Sequence, residues 1–341
     1  MQKDLFKKYL EETFGVKAAG KVLEALECPP SVSVRLNPSK WNVGDGTNTE
    51  IADAGINGKV PWSEWGYFLK ERPVFTLDPL IHAGAYYVQD SSSMFVGFVF
   101  RQVLGQMLGE EPVAERRSLR VLDLCAAPGG KTTDLAASLR EMVGDRFILV
   151  SNEVMKNRAG ILADNVALWG DPNVVVTSAD PAAFSRLEGF FDIIVTDVPC
   201  SGEGMFRKDE GAVEQWSEDN VELCVARQRR ILADIWPALA PGGFLIYSTC
   251  TFNKYENDGN VGWAASELGA AVRVADCPYE GPMRTEFGYS LAPGFVPGEG
   301  QYCAVLKKDD GGLRWASAME NTEMSFRQGC SGKRSREKGR P

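Results

Sequence analysis

Histidine is almost missing from this 341-residue chain, where His82 stands alone. A multi-histidine metal site is therefore excluded, and proton transfers fall to carboxylates, thiols or water. Cysteine pairs at metal-ligand spacing are missing too. The eight cysteines (28, 125, 200, 224, 250, 277, 303 and 330) contain no CxxC, which supports neither a zinc site nor a disulfide framework and leaves free thiols in a reducing compartment. No metal is expected. No apolar run reaches the ~18 residues of a bilayer span, and Met1-Gln2-Lys3-Asp4-Leu5 lacks the charged-then-apolar layout of a signal peptide. No membrane association and a cytoplasmic location are the expectations. Basic excess is also absent: 37 Lys and Arg face 46 Asp and Glu, for a net charge of −9. This argues against nonspecific coating of long phosphate backbones, while a local patch can still bind one nucleic-acid element.

What the chain does contain is an ordinary 44% hydrophobic and 24% charged composition, with length for one large domain and a smaller one. Leu5, Phe6, Tyr9 and Leu10 fall at helical spacing, and Lys17 to Glu27 continues helix-like until Pro29-Pro30. Ser31 to Asn37 alternates like a half-buried strand, with Ser31, Ser33, Arg35 and Asn37 on its polar face. Asn42 to Gly58 reads as a loop. From Arg120 onward, apolar runs (Val121 to Cys125, Phe147 to Ser151, Val174 to Thr177, Asp192 to Val198, Phe244 to Thr249) alternate with helical patterns. That repetition implies a parallel sheet with right-handed crossovers. Ala271 to Val274 and Tyr302 to Leu306, joined by a Pro/Gly-rich loop, can close the sheet as an antiparallel pair. The fold class expected is α/β: a doubly wound, Rossmann-like sheet of the class I methyltransferase variant, with a smaller N-terminal α+β domain. The boundaries read as 1–110, 111–310 and a tail of 311–341. In that tail Lys333, Arg334, Arg336, Lys338 and Arg340 face a single Glu337 and suggest a disordered, solubilising end.

Chemistry concentrates at the predicted strand ends. Pro128-Gly129-Gly130-Lys131-Thr132 lies between a strand and a helix, where a tight turn lets amides approach a ligand. A phosphate loop is the rival reading, but Cys125 occupies the position of its first glycine. Glu153 closes the second run near the ~20-residue offset at which an acid meets a ribose diol. Asp180 ends the third region, where a carboxylate can accept from an adenine amino group. Either acid could instead be a solvated loop carboxylate. Asp197-Val198-Pro199-Cys200 and Ser248-Thr249-Cys250-Thr251 follow two runs that read as neighbouring strands, so both thiols emerge at one sheet edge. A lone cysteine is most often a small buried apolar residue, which suits Cys28, Cys224, Cys277, Cys303 and Cys330 better than this pair.

These motifs, CAAPGGKT at Cys125 to Thr132, DVPCSGEGMFRKD at Asp197 to Asp209 and YSTCT at Tyr247 to Thr251, closely resemble the Sun-type RNA cytosine-C5 methyltransferases. That family includes the bacterial RsmB and RsmF enzymes, and the GEGMFRKD wording looks most like the RsmF-type branch. SVRLN at Ser33 to Asn37 and HAGAYYVQDSSSM at His82 to Met94 extend the likeness over roughly residues 30 to 307. Val198 departs from the more usual alanine. RsmF-like relatives also carry a further C-terminal RNA-binding domain, so here recognition is expected to fall on the N-terminal region or a partner.

The resemblance implies Cys250 as nucleophile and Cys200 as the thiol assisting release. Cys125, Ala126, Ala127, Pro128, Gly129, Gly130, Lys131, Glu153, Asp180 and Asp197 would line an S-adenosylmethionine pocket, with Asp197 also near the target base. RNA, as ribosomal RNA or a ribosomal subunit, is the implied partner. A thiolate added to C6 makes C5 of cytosine nucleophilic, and a second group speeds the elimination that follows. Lys131, Arg207 or Lys208 could favour the thiolate, the base must be unstacked, and Phe206, Trp62 or Tyr87 could stack on it. Two alternatives stay open: cytosine-C5 methylation of tRNA or DNA with Cys200 as nucleophile, and a non-catalytic RNA-binding assembly factor.

Overall fold

Two amphipathic helices open the chain, α1 (Lys3–Phe14) and α2 (Val16–Leu26). The computed structural model describes residues 3–41, 55–109 and 117–310. The buried face of α1 and α2, built on Phe6, Leu10, Ala19 and Val22, packs on Trp216, Val221 and Phe252 far along the chain. An antiparallel sheet follows in the order β2 (Ile56–Lys59), β3 (Gly66–Leu69), β1 (Val32–Leu36), β4 (Tyr86–Val88). Strand β1 is not half-buried as its alternation suggests. Arg35 is 1% exposed and Asn37 and Ser33 are equally enclosed, because this polar face lies against the second sheet's helices. The Asn42 to Gly58 expectation is corrected at its end, where β2 forms an exposed edge strand; residues 42–54 lie outside the described residues, as do Cys330 and the basic tail.

Between the sheets runs α4 (Met94–Gly109), after a short turn α3 (Pro79–His82). The apolar residues of α4 cover most of its circumference, giving no clear stripe, and its own Phe95, Phe100 and Leu104 are fully buried. Then β5 (Leu119–Asp123), α5 (Gly130–Val143), β6 (Phe147–Asn152), α6 (Lys156–Trp169), β7 (Val174–Thr177), β8 (Phe191–Asp197), α7 (Glu210–Gln215), α8 (Glu218–Ile235) and β9 (Leu239–Thr249) form the doubly wound core. Helix α8 starts where Ser217 caps it, its side chain accepting from the Asn220 N–H. Strands β5 to β9 are parallel neighbours in the order β9-β8-β5-β6-β7. Helix α9 (Asp258–Glu267) leads to β10 (Ala271–Arg273), which pairs antiparallel with β13 (Gln301–Lys307) as expected. The intervening segment is not merely loop: β11 (Met283–Arg284) and β12 (Gly288–Leu291) extend the sheet to nine strands.

The period of two along each strand explains why helices cover both faces. Val121, Ile193 and Ile246 face α4 and α5. Their neighbours Leu122, Ile194 and Leu245 face Ile231, Leu232 and Ile235 of α8. Each such fully buried aliphatic side chain contributes roughly 1.5–3 kcal/mol. Among the described residues, no helix is long and apolar enough to cross a membrane.

Candidate active site

Parallel pairing of β8 with β9 aligns Asp197 with Ser248, so the segments leaving both strands continue side by side. Cys200 Sγ and Cys250 Sγ stand 3.2 Å apart. The Gly204 N–H donates to the Cys250 carbonyl at 2.7 Å, and a Cβ at Gly204 would meet that oxygen at 2.5 Å, so only glycine allows this approach. The Cys250 neighbour and burial push the Cys200 thiol well above its ordinary value.

Next to this pair, Lys131 Nζ donates to Asp197 Oδ2 and to Ser93 Oγ, both at 2.8 Å. Ser248 Oγ and Gln301 Nε2 donate to Asp197 Oδ1 at 2.8 and 2.9 Å. Burial alone raises the Asp197 carboxyl, but Lys131, Ser248 and Gln301 outweigh it and hold it below the usual value. Lys131 is raised in turn, as Asp197 overcomes its burial and the Cys250 charge adds to the effect. Of the three cations considered from sequence, only Lys131 has this relation to the thiols. Arg207 is a tether instead: it donates to both oxygens of Glu299 at 2.8 and 3.0 Å and to the Gly298 carbonyl at 2.6 Å. Lys208 lies 3.9 Å from Asp90.

The glycine turn after β5 is pinned through its carbonyls. Arg158 binds that of Ala127 at 2.9 Å, Asn165 that of Pro128 at 2.8 Å and Arg35 that of Gly130 at 3.2 Å. Gly129 takes φ +116° to start α5, a conformation favouring glycine. A Cβ on Gly130 would press on Tyr87 Cε1 at 3.2 Å. Cys125 is pushed up to about 12 by burial, which suits a packing thiol; Ala126 is buried beside it. Asp123 was missed from sequence, although it is the one acid inside the apolar run Val121 to Cys125 and ends β5 just before the turn. It accepts from Thr132 Oγ1 at 2.7 Å, while its Oδ1 is buried with no partner, and burial pushes its carboxyl to about 7.

Glu153, at the end of β6, is buried, accepts from the Met155 N–H at 3.0 Å and lies 3.3 Å from Arg158. Asp180 follows β7 but is half-exposed and held by Arg230 through both oxygens at 2.7 and 2.8 Å. The three aromatic residues separate. Trp62 is buried against Phe95, Phe206 packs on Phe6, and Tyr87 stays half-buried at the glycine turn. An orphaned carboxylate oxygen on Asp123 and further acids at adjoining strand ends have the chemistry to suit a cationic, hydroxyl-bearing nucleoside.

Fold and site together define a doubly wound α/β domain of the methyltransferase type with two thiols at its carboxyl edge. The chain belongs to the family described as 16S rRNA methyltransferase RsmB/F, whose pattern matches residues 111–307. Residues 3–91 match the N-terminal domain of 16S rRNA methyltransferase RsmF. The chain is 36% identical over 232 residues to ribosomal RNA small subunit methyltransferase F of Shewanella loihica, covering 67% of this chain and 45% of that protein. It spans about half the length of such curated relatives. A methyltransferase homolog from Pyrococcus horikoshii superposes with a TM-score of 0.72 at 26% identity, over 89% of this chain and 94% of the other. NSun6 from Pyrococcus horikoshii, solved with SFG, gives 0.72 at 18% identity, covering 89% and 97%.

Proposed function

We propose that the protein methylates C5 of a cytosine in RNA, with S-adenosylmethionine as donor and small-subunit ribosomal RNA as substrate, free or in the subunit, in the cytoplasm. The single observation that carries this reading is the 3.2 Å contact between Cys200 and Cys250 beside the Lys131–Asp197 pair. The names of the curated relatives support the choice of RNA. Recognition of that RNA is assigned to residues 1–110 and chemistry to 111–310, with 311–341 as a tail.

When bound, S-adenosylmethionine supplies an electrophilic methyl group. Asp123, Glu153 and the Cys125 to Lys131 turn would hold it, with Asp180 reaching the adenine end once released from Arg230. Asp197 would accept from the amino group of the cytosine and fix its ring. The Cys250 thiolate then forms a bond to C6, and the electron pair moves onto C5, which becomes the nucleophile. The bonded Cys250 sulfur is a neutral thioether, so the largest cause raising Cys200 disappears. Once C5 carries the methyl group, Cys200 can lose its proton to water and accept the C5 proton while the C6–S bond breaks and the Cys250 thiolate leaves.

Bisulfite sequencing of ribosomal RNA from cells with and without the gene tests the proposal. One small-subunit cytosine should lose its mark in the deletion strain and regain it on incubation with the purified protein and S-adenosylmethionine. An unchanged map, with no labelled methyl transferred to RNA, would overturn it.

A further inference from the structure

Beneath the two thiols lies a group of buried polar side chains that the chemistry above does not use. Glu203 comes from the Cys200 segment, yet its Oε2 accepts the N–H groups of Phe252 and Asn253 in the Cys250 segment, at 2.6 and 3.1 Å. Glu256 comes from beyond Cys250, yet its Oε2 accepts the Ser201 N–H at 3.0 Å. Asn253 joins the two acids, donating to Glu203 Oε1 at 2.9 Å and Glu256 Oε1 at 2.8 Å. Gln228 of α8 completes the brace by donating to Glu256 Oε2 at 2.7 Å and to the Pro199 carbonyl at 3.0 Å.

Each acid thus holds the backbone of the other thiol's segment. Glu203, Gln228, Asn253 and Glu256 are all buried to within 1% of full enclosure. Burying two carboxylates this close is costly unless N–H donors surround them, so an arrangement kept only for stability would be served as well by apolar packing. The crossing of the two acids does something apolar packing cannot: it adds directional bonds, beside the Val198–Ser248 and Gly204–Cys250 backbone contacts, that fix how the two segments lie side by side.

We infer that Glu203 and Glu256 are positioning residues that set the separation of the Cys200 and Cys250 sulfurs through this crossed pair of backbone contacts. The inference rests on the reading of those cysteines as the working pair, and a misplacement of about 1 Å at such a pair costs up to about a hundredfold in rate. Substituting Glu256→Gln keeps the shape but sets an NH2 group against either Asn253 Nδ2 or the Ser201 and Gln228 donors, so at least one contact of the brace becomes donor against donor and the brace loosens.

The test uses the full chain and two readouts. In the first, dibromobimane, which becomes fluorescent only when two nearby thiols displace both bromides, is applied and the bridged Cys200–Cys250 peptide is quantified by mass spectrometry. In the second, methyl transfer from labelled S-adenosylmethionine to small-subunit ribosomal RNA gives kcat and KM. For Glu256→Gln and Glu203→Gln, bridged product and kcat should each fall at least about tenfold, with KM for RNA and cofactor affinity within about threefold of the parent. Equal bridging in parent and variants overturns the inference. Should either variant fail to fold, Gln228→Met, which removes one donor to Glu256, should give a smaller loss of bridging, and an unchanged yield there is again fatal. If RNA is never methylated but bridging still depends on Glu256, the proposed function fails while the brace stands.

Discussion

Lys131 Nζ lies 2.8 Å from Asp197 Oδ2, joining the residue after the glycine turn to the residue that ends β8. Glycine turn and thiol segment are therefore one electrostatic unit. Lys131→Met removes the largest cause opposing burial and leaves only the Ser248 and Gln301 hydrogen bonds against it, so the Asp197 carboxyl should rise. The acid limb of the pH–rate profile should move to higher pH, and methyl transfer at neutral pH should fall by about 100-fold or more. Steady-state rates between pH 5 and 8 check this; an unmoved limb counts against the pairing.

Replacing the two sulfurs separately should give different failures. Cys250→Ala should abolish methyl transfer and form no adduct. Cys200→Ala should accumulate a covalent protein–RNA species, visible as a slow band on a denaturing gel that nuclease removes. Reversal of the two phenotypes would transfer the nucleophile's role to Cys200.

Gly204→Ala would set a methyl group 2.5 Å from the Cys250 carbonyl. The two thiol segments must separate, at a cost of roughly 1–3 kcal/mol. Urea denaturation should show the loss and dibromobimane bridging should drop with it. A variant as stable as its parent would show that the approach is less tight than described.

Arg35 is buried in β1 and donates to Gln89 Oε1 at 2.7 Å, Thr133 Oγ1 at 2.5 Å and the Gly130 carbonyl, with its guanidinium 4.6 Å from the centre of the Trp169 ring. Arg35→Met leaves Gln89 Oε1 and Thr133 Oγ1 without this donor, while the Gly130 carbonyl keeps the Thr133 hydroxyl at 3.1 Å, so stability should fall by about 2–3 kcal/mol. S-adenosylmethionine affinity, measured by calorimetry on the folded fraction, should weaken as well. Full affinity would mean the turn keeps its shape unaided.

Legibility in the sequence followed the physics of each element. Strands β5 to β9 were readable because strands covered on both faces leave continuous apolar runs, and the pairing of Cys200 with Cys250 followed from strands ending at one edge. The enclosure of Arg35 and Asn37 was not readable, since alternation reports a polar face and not what lies against it. Helix α4 lacked a stripe because nearly its whole circumference is covered. Arg207 looked like a cation for the thiolate, and its partner Glu299 arrives only just before β13. Glu203, Asn253, Glu256 and Gln301 sit at the start of a three-residue helical turn, in a connecting segment or at a strand start, where no periodicity marks a buried polar residue.

The Cys200 segment is fastened at Glu203, at Arg207 and, through Ser201, at Glu256. Jaws fixed this way do not open for a guest, so under the proposed function the work of reaching them falls on the nucleic acid. Among cytosines in otherwise equal sequence, those in loops or beside mismatches should be modified ahead of those locked in helices, because the ease of swinging outward then ranks the targets.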